Sequence, residues 1–280
     1  MQSSVDAENP QPQDSLSDIL QRLDESESHI TRFSPGWTQG RSAFGGLTAA
    51  MAVAAMRKSL PSPQPLRSLM ISFVAPLAAG EVRVEPRILR QGRNVTQATA
   101  ELISGDATCL QAMAIFGNGR KGRHIPSLVK FNAPPRHPES SRQLGGVRLP
   151  PFLQFFEGHW TGGGVPFSGS QDRELGMWVR HRQDISRFPV EALVAVCDMP
   201  PPIILSHYDQ PPVIASSLSW SLEFVVPPTS IRSDWFYLDY DLDAAAEGYS
   251  LQSGRVFTEQ GELCALSRQC MVYFEPEGIL

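Results

Sequence analysis

The stretch "AFGGLTAAMAVAAMRK", residues 43 to 58, predicts a helix that is buried on all sides. After the glycine pair Gly45 and Gly46, most positions hold alanine, methionine or valine, and the run contains no acidic residue. Alanine is the strongest helix former, and small side chains allow neighbouring elements to pack closely against a helix. We predict a helix over residues 44 to 58 that ends before Pro61.

Segments with strand character surround this helix. "HITRFS" precedes it, and residues 69 to 75, 81 to 103 and 109 to 116 follow it, with an interruption at "RQGRN". Runs rich in β-branched and aromatic residues, bounded by Gly, Pro and Asn, indicate strands. The first half therefore predicts a strand, a buried helix and then antiparallel strands.

The N-terminal segment divides into two parts. Residues 1 to 14 are mostly polar and predict a disordered lead. In "DSLSDILQRLDES", which follows, apolar residues recur at helical spacing, namely Leu16, Ile19, Leu20 and Leu23. Asp14 or Ser15 would cap this helix.

A change of composition separates two domains. Residues 119 to 150 are dense in Pro, Gly, Ser and basic residues, which predicts a linker that crosses a surface. We expect an N-terminal domain over residues 15 to 118 and a C-terminal domain over residues 151 to 280. The second domain shows strands near residues 152 to 159 and 175 to 183, a helix near Val190 to Cys197, and three more strand segments.

Two pairs of segments indicate that the halves are duplicates. "MISFVAP" at 70 to 76 matches "SLEFVVP" at 221 to 227, and "CLQAMAIF" at 109 to 116 matches "SRQCMVYF" at 267 to 274. The second match places Gln111 against Gln269. Any two antiparallel sheets share aromatic and β-branched residues, but here the order of the segments repeats as well. We predict a repeated unit of about 120 residues.

The composition excludes several classes of protein. Among 280 residues, 41% are hydrophobic and 19% are charged, and the net charge is −5, which argues against binding of nucleic acid through phosphate contacts. No apolar run reaches the length of a membrane span, and the first 25 residues lack the basic start and apolar centre of a signal peptide. We expect a cytoplasmic protein without membrane partners.

No motif for a cofactor or a metal is present. The four cysteines form no C-x-x-C pair and lie in apolar stretches, as buried reduced thiols do. Neither G-x-G-x-x-G nor a Walker loop occurs. We therefore expect no cofactor, no metal and no disulfide framework.

Several motifs together resemble the acyl-CoA thioesterase II family and the wider thioesterase-like superfamily. They are "QGRSAFGG", "SLMISFVAPL", "ILRQGRNVTQATAEL", "CDMPPP", "SSLSWSLEFVVPP" and "SRQCMVYF", and the resemblance runs from Ser15 to Glu275. It implies an α+β double hotdog fold, in which two antiparallel sheets from an internal duplication each wrap around a long helix. A homo-oligomer is expected by the same analogy, because hotdog sheets have edges that can pair between chains.

The resemblance also implies an activity and a set of catalytic residues. Family members hydrolyse fatty acyl-CoA, as part of fatty acid metabolism, with an Asp, a Thr or Ser, and a Gln that hold and activate one water without a covalent intermediate. These positions fall on Asp198, Ser217 and Gln269. Ser217 departs from the Thr of many members; it keeps the hydroxyl and lacks the methyl group.

The residues themselves allow this chemistry without requiring it. Asp198 follows "ALVAV", where partial burial would raise its pKa towards that of a useful base, although it could equally be a surface residue at a helix end. Ser217 lies on the polar face of its predicted strand, whereas Leu218 and Trp220 lie on the opposite, apolar face. A serine on such a polar face is usually exposed. Gln269 could also be an ordinary exposed residue of a strand.

The first half lacks a base but suits an anion. No Asp or Glu occurs from residue 29 to residue 80, so we expect one catalytic site per chain, provided by the second half. The helix start at Gly45 and Gly46 offers free N–H groups that could polarise a thioester carbonyl. Some of the nearby cations would meet the phosphates of CoA; these are Arg32, Arg41, Arg57, Lys58 and Arg67, of which Arg41 is our candidate. Alternatively, the glycines only let the helix pass close to a strand.

Other functions stay open. A hotdog hydratase or dehydratase pairs His with a carboxylate, and none of the six histidines has the expected spacing. An α/β-hydrolase would need G-x-S-x-G, which is absent. A non-catalytic acyl-CoA-binding protein with the same fold is the alternative that the serine at position 217 favours.

Overall fold

Eleven strands form one antiparallel sheet that runs through both halves of the chain. The computed structural model describes residues 14–136, 149–211 and 213–275. Its helices are α1 (Leu16–Glu25), α2 (Gly45–Lys58) and α3 (Pro189–Cys197). Its strands are β1 (Ile30–Phe33), β2 (Thr38–Gln39), β3 (Ser42–Ala43), β4 (Leu66–Phe73), β5 (Gly80–Gln91), β6 (Val95–Ser104), β7 (Ala107–Gly117), β8 (Phe156–Gly162), β9 (Glu174–His181), β10 (Ile214–Phe224), β11 (Phe236–Ala246), β12 (Tyr249–Thr258) and β13 (Leu263–Phe274).

The order of the strands shows the two halves. β1-β5-β6-β7-β4 come from the first half and β10-β13-β12-β11-β9-β8 from the second, and β4 pairs with β10 at the centre. The strands β2 and β3 form a separate hairpin. The predicted double hotdog is confirmed, and the two predicted sheets are continuous because Ser72 pairs with Ser219 and Ser68 with Glu223 across the seam.

The helix α2 is buried as its composition predicts. Only Gly45, Ala54, Arg57 and Lys58 among its fourteen residues are not buried. It packs against α1, α3 and the strands β5, β6 and β7. Alanine at four of its ten buried positions allows close approach from several sides.

The helix α1 confirms the N-terminal prediction. Leu16, Ile19, Leu20 and Leu23 are buried, and Ser15 is the cap: its hydroxyl accepts from the Asp18 N–H, and the Asp18 carboxylate accepts from the Ser15 N–H at 2.9 Å. Asp14 forms an ion pair with Arg22 instead. The predicted lead, residues 1 to 14, lies outside the described residues except for Asp14.

One prediction about the second half is confirmed and one is wrong. α3 has nine residues and matches the helix predicted near Val190 to Cys197, and Pro200 to Pro202 follow it closely. Four strands follow α3 rather than three, because the acidic residues of β11 conceal its strand character. In the structure Asp239 and Asp241 both bind Arg255 of β12, at 2.9 and 2.6 Å.

The predicted alignment of Gln111 with Gln269 is also wrong. Leu69 and Trp220 occupy equivalent inward positions of β4 and β10; Leu69 pairs with Ala114, whereas Trp220 pairs with Gln269. Gln269 therefore corresponds to Ala114. Gln111 is exposed and donates to Glu101 on the outer face of the sheet. Sequence similarity misplaced the two strands by an odd number of residues, which exchanges the faces of a strand.

The chain that follows β7 crosses the outer face of the second half. Residues 118–136 contain no helix or strand. Phe131 packs against Trp178, Tyr237 and Phe257, and the Trp178 indole donates to the carbonyl of Pro134 at 2.9 Å. This agrees with a surface linker, while the remainder of the predicted linker, residues 137 to 148, lies outside the described residues.

The helices α2 and α3 run antiparallel in the centre of the fold. At one end, a Cβ on Gly46 would lie 2.7 Å from the carbonyl oxygen of Ala195, near the C-terminus of α3. At the other end, Arg57 binds both carboxylate oxygens of Glu191, at 2.7 and 2.9 Å. Glu191 is 1% exposed and Arg57 is 31% exposed, so the pair fixes the register of two otherwise apolar helices.

We predict that Arg57→Met lowers the free energy of unfolding by about 3 kcal/mol, because it leaves the Glu191 carboxylate buried without its partner. The double substitution Arg57→Met with Glu191→Met should recover most of this loss. Urea unfolding measures both, with Arg83→Met as the control for loss of an exposed ion pair. Equal losses for Arg57→Met and Arg83→Met would contradict the role given to this pair.

Candidate active site

Asp198 ends the helix α3 and stands at the centre of the site. It is the C-cap residue, with φ −99° and ψ 8°, and its N–H donates to the Ala195 carbonyl at 3.3 Å. Met199 makes the corresponding bond to Val196, after which the prolines prevent a further turn. The sequence prediction that Asp198 closes the second helix is confirmed.

The N-terminus of α2 faces the carboxylate of Asp198. A Cβ on Gly45 would lie only 2.6 Å from Oδ2 of Asp198, and the backbone N–H of Gly46 lies close enough to lower the pKa of that carboxyl. As the first residue of α2, Gly45 has no carbonyl within the helix to receive its N–H. Both glycines therefore permit close packing, and both also present amides at the site.

Gln269 holds the carboxylate from the opposite side. It lies on β13, is 3% exposed, and its Nε2 donates to Oδ1 of Asp198 at 2.7 Å. Its Oε1 accepts from Nε2 of Gln252 on β12 at 3.0 Å. The exposed strand glutamine that the sequence allowed is excluded, because this side chain is buried and bonded at both ends.

Burial and these donors act in opposite directions on Asp198. Loss of water around the carboxylate raises its pKa from 3.8 to about 7, against the hydrogen bonds from Gln269 and Gly46, which lower it. The prediction of a raised pKa is confirmed. A carboxyl that ionises near neutral pH can accept and release a proton, as a general base requires.

A β-bulge changes the position of Ser217. Regular alternation puts Ser217 on the face opposite Trp220, but the register shifts between Ser217 and Ser219, so that Ser217 pairs with the buried Met271 while Trp220 pairs with Gln269. Paired residues share a face, and diagonal neighbours on one face lie about 7–8 Å apart. The bulge therefore places Ser217 on the face that carries Gln269.

Two residues that the sequence did not indicate support this end of α3. The hydroxyl of Tyr240 on β11 donates to the carbonyl of Cys197 at 2.7 Å, and a Cβ on Gly254 would lie 2.4 Å from its ring. Gln252 supports Gln269 as described above. Both are inward polar groups on strands, and an inward position occupied by Gln in "YSLQSGRV" is the signal that could have identified Gln252.

Most of the predicted cations have structural partners. Arg57 binds Glu191, Lys58 donates to carbonyls of the α1 region, and Arg67 donates to the Gly117 carbonyl. These three are therefore not free to bind phosphates. Arg41 is exposed in the turn between β2 and β3, four residues before α2, and no ion pair of Arg41 occurs within the described ranges.

The histidines His181 and His159 lie away from Asp198. Nε2 of His181 bonds the Ala192 carbonyl in the middle of α3, and burial lowers the pKa of His181 to about 4. His159 contacts Glu157 and packs on Trp235. Its strand partner Trp178 belongs to the outer-face cluster around Phe131, so this His and carboxylate pair is not part of the site.

Two further observations concern the described residues. Across residues 14–136, 149–211 and 213–275, no three or more His, Cys, Asp or Glu side chains meet as a metal site would require. No helix in this part of the chain is long and apolar enough to cross a bilayer.

We predict that Asp198 makes stability fall with rising pH. The unfolded carboxyl ionises near pH 4 and the folded one near pH 7, so between these values the folded state retains a proton that the unfolded state has lost. Relative to Asp198→Asn, the wild type should lose up to about 4 kcal/mol of unfolding free energy from pH 4 to pH 8. Urea unfolding across this range measures the difference, and parallel curves for the two proteins would contradict the buried carboxyl.

Comparison with protein families shows where the chain belongs. Residues 33–117 match the acyl-CoA thioesterase N-terminal domain, and residues 131–273 match the acyl-CoA thioesterase C-terminal domain. No curated protein matches the sequence.

Solved structures with similar folds extend over nearly the whole chain. A hot dog protein of unknown function from Alicyclobacillus acidocaldarius has a TM-score of 0.77 and 21% identity, covering 88% of this chain and 93% of its own. The tesB protein of Mycobacterium avium subs paratuberculosis has a TM-score of 0.75 and 20% identity, covering 94% and 100%. The acyl-CoA thioesterase II TesB2 of Mycobacterium marinum has a TM-score of 0.71 and 18% identity, covering 92% and 99%.

At these identities the structures show the fold, and the family assignment rests on the two domain matches. The C-terminal match alone covers half of the chain and includes Asp198, Ser217 and Gln269. The chain belongs to the acyl-CoA thioesterase family and is a thioester hydrolase with a double hotdog fold.

Proposed function

We propose that this protein hydrolyses acyl-CoA to the free acid and CoA, with a water that Asp198, Ser217 and Gln269 activate and without a covalent intermediate. The observation that carries this proposal is the 2.7 Å hydrogen bond from Gln269 to Asp198, made directly opposite the N-terminus of α2. It combines a base of suitable pKa with backbone donors for the carbonyl oxygen.

The two oxygens of Asp198 have different tasks. Oδ1 accepts from Gln269, and Oδ2 faces the N-terminus of α2. A water bound to Oδ2 gives a proton to it while the water oxygen attacks the thioester carbonyl carbon. The carbonyl electrons move to oxygen and form a tetrahedral oxyanion.

The start of α2 stabilises that oxyanion. The N–H of Gly45 has no acceptor within the helix, and the helix dipole adds a partial positive charge there. Donors fixed before the reaction stabilise the developing charge better than mobile water does. The oxyanion then collapses, the carbon–sulfur bond breaks, and the CoA sulfur takes the proton that Asp198 holds.

Ser217 and Arg41 complete the proposal. The Ser217 hydroxyl lies on the same sheet face as Gln269 and would form a hydrogen bond with the attacking water. This bond would orient a lone pair of the water towards the thioester carbonyl carbon. Arg41, exposed near the start of α2, would bind the phosphates of CoA. A role in fatty acid metabolism, a cytoplasmic location and a homo-oligomer remain part of the same hypothesis.

One observation favours a second function, an acyl-CoA-binding protein without catalysis. Ser217 stands where many family members have Thr, and a serine hydroxyl is less restricted in rotation than that of a β-branched Thr, so it would hold a water less firmly. A substrate panel separates the two functions.

We predict that the wild type releases free thiol from at least one member of an acyl-CoA panel that includes short, long, branched and aromatic acids. The kcat/KM should rise with pH through about 7, because only ionised Asp198 is a base. Asp198→Asn should lower kcat by 100-fold or more, on the order expected for loss of a general base, while the fold is retained.

Ser221→Ala, a substitution on β10 away from the bulge, is the control and should keep full activity. Binding of acyl-CoA without any release of thiol would instead establish the acyl-CoA-binding protein.

A further inference from the structure

A closed ring of hydrogen bonds holds Asp198 from behind. The N–H of Ile203 donates to Oε1 of Gln252 at 3.2 Å, Nε2 of Gln252 donates to Oε1 of Gln269 at 3.0 Å, and Nε2 of Gln269 donates to Oδ1 of Asp198 at 2.7 Å. The chain from Asp198 to Ile203 closes the ring. These hydrogen bonds therefore connect the loop from Asp198 to Ile203 with β12 and β13 at one carboxylate.

The prolines explain why the ring begins at Ile203. Pro200, Pro201 and Pro202 have no N–H, so Ile203 provides the first backbone donor after Met199. It also begins a short 3₁₀ helix, where an N–H has no acceptor within the helix. Gln252, which is fully buried, supplies that acceptor.

The ring also has a direction that the backbone sets. A side-chain amide has an oxygen that accepts and a nitrogen that donates, and a half-turn exchanges them. A backbone N–H can only donate, so the Gln252 oxygen must face Ile203 and its nitrogen must face Gln269. The oxygen of Gln269 is then occupied, and its nitrogen must face Asp198.

We propose that Gln252 is a positioning residue that sets which end of the Gln269 amide faces Asp198. It does not touch the substrate, and it acts only through Gln269. The inference rests on the proposed function, because it deepens the account of the same base. One of its tests nevertheless measures protein stability and needs no catalysis.

The direction matters because the opposite one disables the base. With the Gln269 oxygen facing Asp198, the two groups can bond only when Asp198 is protonated and donates. Protonated Asp198 cannot accept a proton from water. Gln252 therefore favours the ionised, reactive form of Asp198 through the orientation of one amide.

Few other titratable groups lie close enough to Asp198 to change its pH dependence. The titratable neighbours of Asp198 within the described chain are Cys197 on α3 and Tyr240 on β11. Burial raises the pKa of each well above its ordinary value, so both stay neutral below pH 9. The cations of α2, Arg57 and Lys58, lie at the opposite end of that helix.

The first test is Gln252→Met, which keeps the length of the side chain and removes both polar groups. Gln269 then turns freely, so the pH midpoint of kcat/KM should rise by about one unit, with kcat/KM at pH 7 roughly fivefold lower and KM unchanged. Thr258→Val is the matched control, since it removes a buried acceptor of the Glu262 N–H on the same strand. It should lower stability and leave the pH midpoint unchanged.

The second test is Gln252→Glu, which can reverse the direction of the hydrogen bond to Gln269. The new carboxyl still accepts from the N–H of Ile203. When it is protonated it donates to Gln269 as Gln252 does, and when it is ionised it can only accept from Gln269. Gln252→Glu should therefore show a loss of kcat/KM at high pH that the wild type lacks. An unchanged midpoint in a folded Gln252→Met variant would overturn the proposal.

A stability measurement separates this proposal from the proposed function. The difference in unfolding free energy between each protein and its Asp198→Asn counterpart, followed against pH, gives the pKa of Asp198 with no substrate present. Gln252→Met should raise that pKa, and an equal pKa in both backgrounds would overturn the positioning role. Absence of thiol release by the wild type would contradict the proposed function alone.

Discussion

The close contact between the N-terminus of α2 and the C-terminus of α3 determines the rest of this structure. Gly46 approaches the Ala195 carbonyl so closely that any Cβ would conflict with it, and the Arg57 and Glu191 pair fixes the opposite end. Each half of the sheet covers its own helix, and the join of β4 with β10 follows from packing these helices side by side. The candidate site lies where the two helix ends meet.

This contact also makes Asp198 tolerable where it stands. A carboxylate at the C-terminus of its own helix is unfavourable, because that end carries partial negative charge. The opposed N-terminus of α2 offsets this, and Gln269 adds a donor from the sheet. Burial acts against both and leaves the pKa of Asp198 at about 7. Asp198 therefore couples the stability of the fold to the reactivity that we propose for this residue.

The sequence predicts the elements better than their exact relations. The buried helix α2, the helix end at Asp198 and the double hotdog follow from local composition and a family resemblance. The match of Gln111 with Gln269 fails because strands of similar composition align in more than one register. The predicted strand face of Ser217 is wrong because a β-bulge adds a residue to β10, and simple alternation along the sequence does not reveal a bulge.

The supporting residues lie beyond sequence reasoning for a different reason. Gln252 and Tyr240 act through contacts with residues more than fifteen positions away in the chain, so a local pattern can mark Gln252 as an inward polar residue but cannot identify the partner of either. The sequence also suggests more cations free to bind phosphate than the structure has. Arg57, Lys58 and Arg67 have partners that only the fold brings near.

The central claim is that Asp198 acts as a base on water and does not attack the thioester itself. Hydrolysis of one equivalent of the best acyl-CoA by excess enzyme in ¹⁸O-labelled water tests it most directly. Direct attack of water predicts that the acid formed in the first turnover carries the label and that the Asp198 carboxylate does not. An unlabelled acid together with ¹⁸O in Asp198 would show an anhydride intermediate and contradict the account.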